Sequence, residues 1–275
     1  KITYTVTFDS DGGSAVAAQT INEGNKATKP ADPTKEGYTF KGWFNGENEY
    51  DFDTAVTAPI TLKAKWEAEP EVTKYDVWVA GTQVTSANAA DVLGDGAASY
   101  DAATNTLTVS KNITATGCEV IYATTAANFN VVIADGVTLS ASNDDGIYYD
   151  GDGTLTVSGG NITINAYEDA IEASGNIKVT GSAPNISAEY GVYSEEGSVE
   201  LVIADISIDT ADHGVFGYFD VTISSKNLSV DSNNNKGIYA YDGDVTINSE
   251  KIEINADEDG IYAAGNIKIT EIGRA

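Results

Sequence analysis

The 275 residues carry 15 Lys and Arg against 42 Asp and Glu, a formal charge of −27 that repels nucleic acid and anionic lipid and makes cations the natural partners. An apolar fraction of 41% is enough to bury at least one core in a chain long enough for two domains. The single cysteine, Cys118, excludes an internal disulfide framework, and the single histidine, His213, leaves no His/Cys set for zinc.

The charge is unevenly shared: 7 Lys face 11 carboxylates up to residue 70, and 8 basic residues face 31 acidic ones beyond it, so ion binding is to be sought in the second part. The first part opens on a half-buried strand pattern, Tyr4, Val6 and Phe8 alternating with Thr3, Thr5 and Thr7. A second strand comes at Ile60, Leu62, Ala64 and Trp66, alternating with Thr61, Lys63 and Lys65. Between them lie a turn at Asp11-Gly12-Gly13 and the stretch Pro33 to Trp43, whose glycines allow close backbone approach beside aromatic rings. The segments VTFDSDGGS, PTKEGYTFKGWF, YDFDTAVTAPITL and the closing AKW, spread over residues 3 to 67, resemble the internalin B-repeat family, also called the Listeria-Bacteroides repeat. The resemblance implies a small β-grasp-like module of exported bacterial proteins, with no catalytic residues. Because such aromatics commonly anchor small cores, Trp43 and Trp66 read as core rather than as ligand platforms. Glu67 to Glu71, around Pro70, reads as a linker, placing the domain boundary at residue 70.

Residues 71 to 116 read as hairpins, for instance at Tyr75 to Val79 and Asn105 to Val109, that cap the open end of a repetitive region beginning at residue 117. In that region a motif recurs at Gly146-Ile147-Tyr148, Ala170-Ile171-Glu172, Gly191-Val192-Tyr193, Gly214-Val215-Phe216, Gly237-Ile238-Tyr239 and Gly260-Ile261-Tyr262, at spacings of 24, 21, 23, 23 and 23 residues. Each unit holds three short alternating runs, the period of a parallel β-helix coil, and the Leu spacing and Asn ladder of a leucine-rich repeat are missing. The expected fold is therefore all-β: a right-handed parallel β-helix of about six to seven coils behind an N-terminal β cap. Alternation sends Ile147, Ile171, Val192, Val215, Ile238 and Ile261 inward, with pairs from Leu155/Val157 to Ile267/Ile269 forming further aliphatic ladders. Gly117-Cys118 aligns with Gly146-Ile147 across a 29-residue coil, which makes Cys118 a buried small hydrophobe. The lack of a closing segment after Ile269 and of an initial Met or leader suggests a piece of a larger processed protein, and no run of about 18 apolar residues is present to span a membrane.

The turn before each repeat start reads Asp144-Asp145, Glu168-Asp169, Glu189-Tyr190, Asp212-His213, Asn233 to Lys236, and Asp257-Glu258-Asp259. Coils stack about 4.8 Å apart. At that distance and an effective dielectric near 20, each pair of like charges costs on the order of 3 kcal/mol before screening, against about 5 to 15 kcal/mol for a whole domain. Calcium, which takes six to eight oxygen ligands, would turn the repulsion into binding, with Asp144, Asp145, Glu168, Asp169, Asp257, Glu258 and Asp259 as candidate ligands. The alternative is a solvated acidic face. The toxin-type calcium-roll spacing is absent.

Beside this column runs an outward one: Tyr148, Glu172, Tyr193, Phe216, Tyr239 and Tyr262. Its rings are expected to form an exposed strip on which the C–H faces of a sugar pack, while calcium bridges uronate carboxylates to the turns. Alternatively the stack only stabilises the sheet. Taken with Asn143 to Tyr148, Asp257 to Tyr262 and the Gly153 to Ile164 run, the repeats resemble the carbohydrate-binding β-helix family of clostridial surface proteins, related in architecture to calcium-dependent pectate-acting helices. The resemblance covers residues 117 to 270 and implies a calcium-containing, polygalacturonate-type binding module. Tyr190, His213 and Lys236 depart from its acidic pattern.

A pectate lyase needs a strong base beside calcium, and Lys236 is the one residue placed for that, although a lone Lys in an acidic turn more often just balances charge. His213 has no nucleophile paired with it by any recognisable motif. The expected function is that of a non-catalytic, secreted or cell-surface bacterial protein binding an acidic polysaccharide or other glycan with calcium, a monomeric piece of a larger surface protein that neither binds nucleic acid nor inserts in a membrane. The alternatives are a structural stalk or adhesin and a pectate-lyase-like enzyme.

Overall fold

A computed structural model describes residues 1–181 and 184–271, which are all-β, with no helix among them. The chain divides into two compact units, Lys1–Glu71 and Val72–Ala275.

The first unit is one mixed sheet of β1 (Thr3–Asp9), β2 (Gln19–Asn22), β3 (Tyr38–Asn45), β4 (Asn48–Glu49) and β5 (Ile60–Ala68), in the order β2-β1-β5-β3-β4. Strands β1 and β5 run parallel, with Phe8 opposite Leu62. The alternation seen in the sequence sends Val6, Phe8, Leu62 and Ala64 into the core with Trp43, whose ring meets Phe8 at 4.9 Å and Phe40 at 5.5 Å, edge to face. Trp66 is half-buried and donates its indole N–H to Ser10 O at 2.9 Å. Gly13 in the turn passes so close beneath this ring that a Cβ there would lie 2.5 Å from it.

The second unit is a β-solenoid of about seven turns. One face stacks Ile121–Ala123, Ile147–Tyr149, Asp169–Ala173, Tyr190–Ser194, Val215–Gly217, Ile238–Ala240 and Ile261–Ala263 in parallel. The other two legs of each coil join a fourteen-stranded sheet, and in the later coils they run continuously as Val221–Ser232 and Val245–Ala256. The aliphatic ladders take the register expected of them: Ile147 opposes Ile171, then Val192, Val215, Ile238 and Ile261, and all but Ile261 are fully buried. Ile267 and Ile269 keep their register but are about half exposed. Two residues after each of these branched aliphatics the wall needs a small side chain: Ala123, Ala173, Ser194, Gly217 and Ala240 supply it, and Ser194 donates its hydroxyl to Gly175 O at 2.8 Å. Tyr149 is the exception. It is fully buried, and its hydroxyl reaches Thr125 O and Ala127 O at 2.9 and 2.6 Å.

Two sequence expectations for the first coil are corrected. Ile121, not Cys118, pairs with Ile147, so this coil is 26 residues long and Cys118 lies in the preceding turn, half-buried with its Sγ beside Gly81. The capping hairpins are present, with Lys74–Val79 antiparallel to both Thr82–Thr85 and Ile121–Ala123, but Thr106–Val109 already belongs to the solenoid, paired in parallel with Phe129–Ile133.

Candidate functional site

At most repeat starts a glycine before the buried aliphatic lets successive turns come into contact, while Ala170 stands in that place before Ile171. A Cβ at Gly146, Gly214 or Gly237 would lie 2.6 or 2.7 Å from the next coil's carbonyl oxygen, or for Gly214 2.3 Å from Val230. With the turns pressed together, Asp145 becomes 6% exposed, and its Oδ1 accepts the backbone N–H of Asp169 in the next coil at 2.8 Å. Gly146 N–H in turn donates to Asp169 O at 2.8 Å.

Asp145 is shared by two groups of carboxylates. Asp144, Asp145 and Glu168 each place an oxygen within 4.8 Å of the others, and so do Asp145, Asp169 and Glu172. Burial dominates the electrostatics and the neighbouring carboxylates add to it: it pushes Asp145 up to about 6, Glu172 up to about 8 and Asp169 up to about 9. Asp169 Oδ1 is buried with no hydrogen-bond partner, a costly arrangement for a polar atom. Among the described residues no Lys or His forms an ion pair with any of the five carboxylates. The set offers oxygen atoms alone, the donor chemistry of a hard cation such as calcium.

The structure thus brings together Asp144, Asp145, Glu168 and Asp169, and adds Glu172, which alternation assigned to the outward column. It does not bring Asp257, Glu258 and Asp259 into such a cluster: all three are exposed, and Glu258 Oε2 pairs with Lys236 Nζ of the preceding coil at 2.6 Å. The carboxylate-rich turn meets a lysine there instead of a second acidic turn, which holds Glu258 below and Lys236 above their ordinary pKa.

The outward column keeps its register from coil to coil. Its rows are Trp78, Tyr122, Tyr148, Glu172, Tyr193, Phe216, Tyr239 and Tyr262, so Glu172 alone interrupts the rings, and it does so at the carboxylate cluster. Ring centroids lie 5.3 Å apart from Trp78 to Tyr122, 5.5 Å from Tyr122 to Tyr148, 4.5 Å from Tyr193 to Phe216, 5.1 Å from Phe216 to Tyr239 and 5.2 Å from Tyr239 to Tyr262. The strip is not uniformly exposed as alternation suggested. Phe216 is 8% exposed beneath Tyr193, His213 and Tyr239, Tyr262 is 40% exposed, and Tyr148, Tyr193 and Tyr239 are half-buried. Burial also pushes the Tyr148 hydroxyl up to about 12, so it stays protonated and able to donate.

His213 belongs to this surface. It stacks on Tyr190 at 6.0 Å and Tyr239 at 5.4 Å, its Nδ1 is 2.5 Å from Asp212 Oδ1, and burial lowers its pKa. Tyr241 continues the surface sideways from Tyr239 at 6.2 Å to Tyr218 and the exposed Phe219. Tyr190, Tyr218, Phe219 and Tyr241 lie outside the repeated Gly-Ile-Tyr triplets and so carry no signal in that pattern; Trp78 and Tyr122 emerge from extending the column to the first coil.

Residues 4–65 match the model of the Listeria-Bacteroides repeat domain, as the first unit's sequence suggested. Three relatives share limited stretches. A Gly-rich membrane protein of Evansella cellulosilytica is 46% identical over 68 residues, 23% of this chain and 8% of its own length. A membrane protein of the same organism is 37% identical over 78 residues, 27% of this chain and 12% of its own length. Internalin H of Listeria monocytogenes is 37% identical over 79 residues, 27% of this chain and 14% of its own length. The chain therefore spans less than a sixth of the length of each of these relatives. The second unit is matched over residues 73–272, most of the chain, by the model described as carbohydrate-binding domain-containing protein, and the chain belongs to that family.

Proposed function

We propose that this chain is part of a bacterial surface protein whose solenoid binds an acidic polysaccharide such as polygalacturonate with the help of calcium. The observation that carries the reading is the interruption of the ring column by Glu172. Tyr148 and Tyr193 flank this row, and Asp145 and Asp169 back it from the turn. A sugar ring lying on either tyrosine would carry its carboxylate toward the cluster, where two anions need a cation between them. Asp145, Asp169 and Glu172, with Asp144 and Glu168 beside them, would hold calcium, and the orphaned Asp169 Oδ1 would gain a partner. Calcium supplies the charge that lets a protein with 42 carboxylates accept an anionic chain.

Binding without catalysis is favoured by Lys236, the candidate lyase base. Its ammonium is held by Glu258 at 2.6 Å, and Glu258 and Lys236 sit in the last two repeats, away from the carboxylate cluster in the coils of Ile147 and Ile171. Export to the surface is supported by the relatives named membrane protein and Internalin H. Among the described residues no helix is long and apolar enough to cross a membrane.

Titration calorimetry with oligogalacturonate tests the reading. Affinity is expected to rise at least tenfold, about 1.4 kcal/mol, on adding millimolar calcium, and this gain is expected to vanish in Asp145→Asn/Asp169→Asn. Equal affinity in calcium and EDTA overturns it, and no binding by the folded protein in either condition leaves the structural stalk. Release of unsaturated, ultraviolet-absorbing products that is lost in Lys236→Ala would make the protein a lyase instead.

A further inference from the structure

The other end of the ring column has a different chemistry, which the calcium reading does not use. Lys236 Nζ lies 5.3 Å from the centroid of Tyr239 and 6.0 Å from that of Tyr262. The lysine side chain is 19% exposed, whereas the Glu258 side chain that pairs with it is 54% exposed. His213 stacks on Tyr239 at 5.4 Å, and burial lowers its pKa. A cation within reach of two tyrosine rings matches a uronic acid, which has an apolar C–H face for the ring and a carboxylate at its edge for the ammonium. Only 15 basic residues occur in the whole chain, and this one is built into the aromatic surface.

We infer that Lys236, Tyr239 and Tyr262 form a second, calcium-independent subsite for a sugar carboxylate, and that Glu258 occupies it in the free protein as a built-in competitor. The inference rests on the acidic-glycan reading for its ligand but not on calcium. Glu258 is a suitable competitor because it presents the functional group of the ligand and is exposed on a flexible side chain. Ion pairs of this kind are weak in water and exchange readily. A uronate that also stacks on a ring would displace it, since it makes both contacts while Glu258 makes one. Lys236 then fixes where along the column the chain's charged groups fall.

The experiment measures oligogalacturonate binding in EDTA by calorimetry for the parent protein and four variants, with melting curves recorded for each. Lys236→Gln is expected to lower affinity about tenfold, the loss of one charge-assisted contact, and Lys236→Arg to retain most of it. Glu258→Gln is expected to raise affinity about threefold, the gain from removing a competitor that holds the subsite most of the time. Asp242→Asn, which removes the same charge from an exposed turn, is expected to change affinity by less than half as much. The inference is overturned if Lys236→Gln binds as the parent does in EDTA, or if Glu258→Gln and Asp242→Asn have equal effects. The two readings fail separately. Loss of the calcium effect with retention of the Lys236 effect sinks the calcium reading alone, and the converse result sinks this one alone.

Discussion

Two turns with nearly the same sequence end up with opposite chemistry. Asn143-Asp144-Asp145-Gly146-Ile147-Tyr148 and Asp257-Glu258-Asp259-Gly260-Ile261-Tyr262 both place carboxylates before a ladder isoleucine and an outward tyrosine. The first meets Glu168, Asp169 and Glu172 in the adjoining coil, and burial raises the pKa of Asp145, Asp169 and Glu172. The second meets Lys236 across the stack and stays an exposed ion pair. In a stacked fold the site is a property of two neighbouring coils, and the repeat unit alone does not define it.

If the two coil pairs share a core and differ only at their turns, core truncation has the same large effect in both. Ile171→Ala and Ile238→Ala each remove a fully buried rung and are expected to cost about 2 to 5 kcal/mol by denaturant unfolding. A difference of more than a few kcal/mol between them would show that the two coil pairs do not share one core.

The turns are expected to differ by a smaller amount. In EDTA at pH 8.5, Asp169→Asn is expected to stabilise the solenoid by on the order of 1 to 2 kcal/mol, because burial disfavours the charge it removes. Asp259→Asn, in an exposed turn, is expected to leave the unfolding midpoint unchanged. The pH dependence has a definite sign. Asp145, Glu172 and Asp169 have folded pKa values of about 6, 8 and 9, above their ordinary values of 3.8, 4.5 and 3.8. Their contribution is therefore fully present below about pH 4 and lost as pH rises to about 9. Melting temperature in EDTA should fall across that window, and Asp145→Asn/Asp169→Asn should flatten the fall. An apo protein that gains stability from pH 6 to 9 would contradict the assignment.

The ladders are legible in the sequence because each coil repeats its own alternation, so Ile147 through Ile261 align without reference to contacts. The first coil departs from that logic where it relies on glycine. Gly117 has φ of 71° and belongs to a turn, while the true strand begins at Ile121 with no glycine before it. The repulsive column is legible as acidic turns. What pairing across coils decides is not: Glu172 joins the cluster because its row lies beside Asp145, and Glu258 leaves it because Lys236 lies beside that turn. Exposure of the strip is also illegible, since Phe216 is covered by His213, a turn residue outside the alternating pattern.

On the function proposed above, the buried carboxylates of the Ile147 and Ile171 coils would hold calcium. Because Asp169 and Glu172 hold protons near neutral pH, with pKa values of about 9 and 8, calcium must displace them. Titrating calcium into the protein at pH 7 in two buffers of different ionisation enthalpy measures that release. Saturable binding with at least one proton released per site is expected, both lost in Asp145→Asn/Asp169→Asn while Asp257→Asn/Asp259→Asn keeps them. Absence of calcium binding, or binding with no proton release that survives Asp145→Asn/Asp169→Asn, would contradict it.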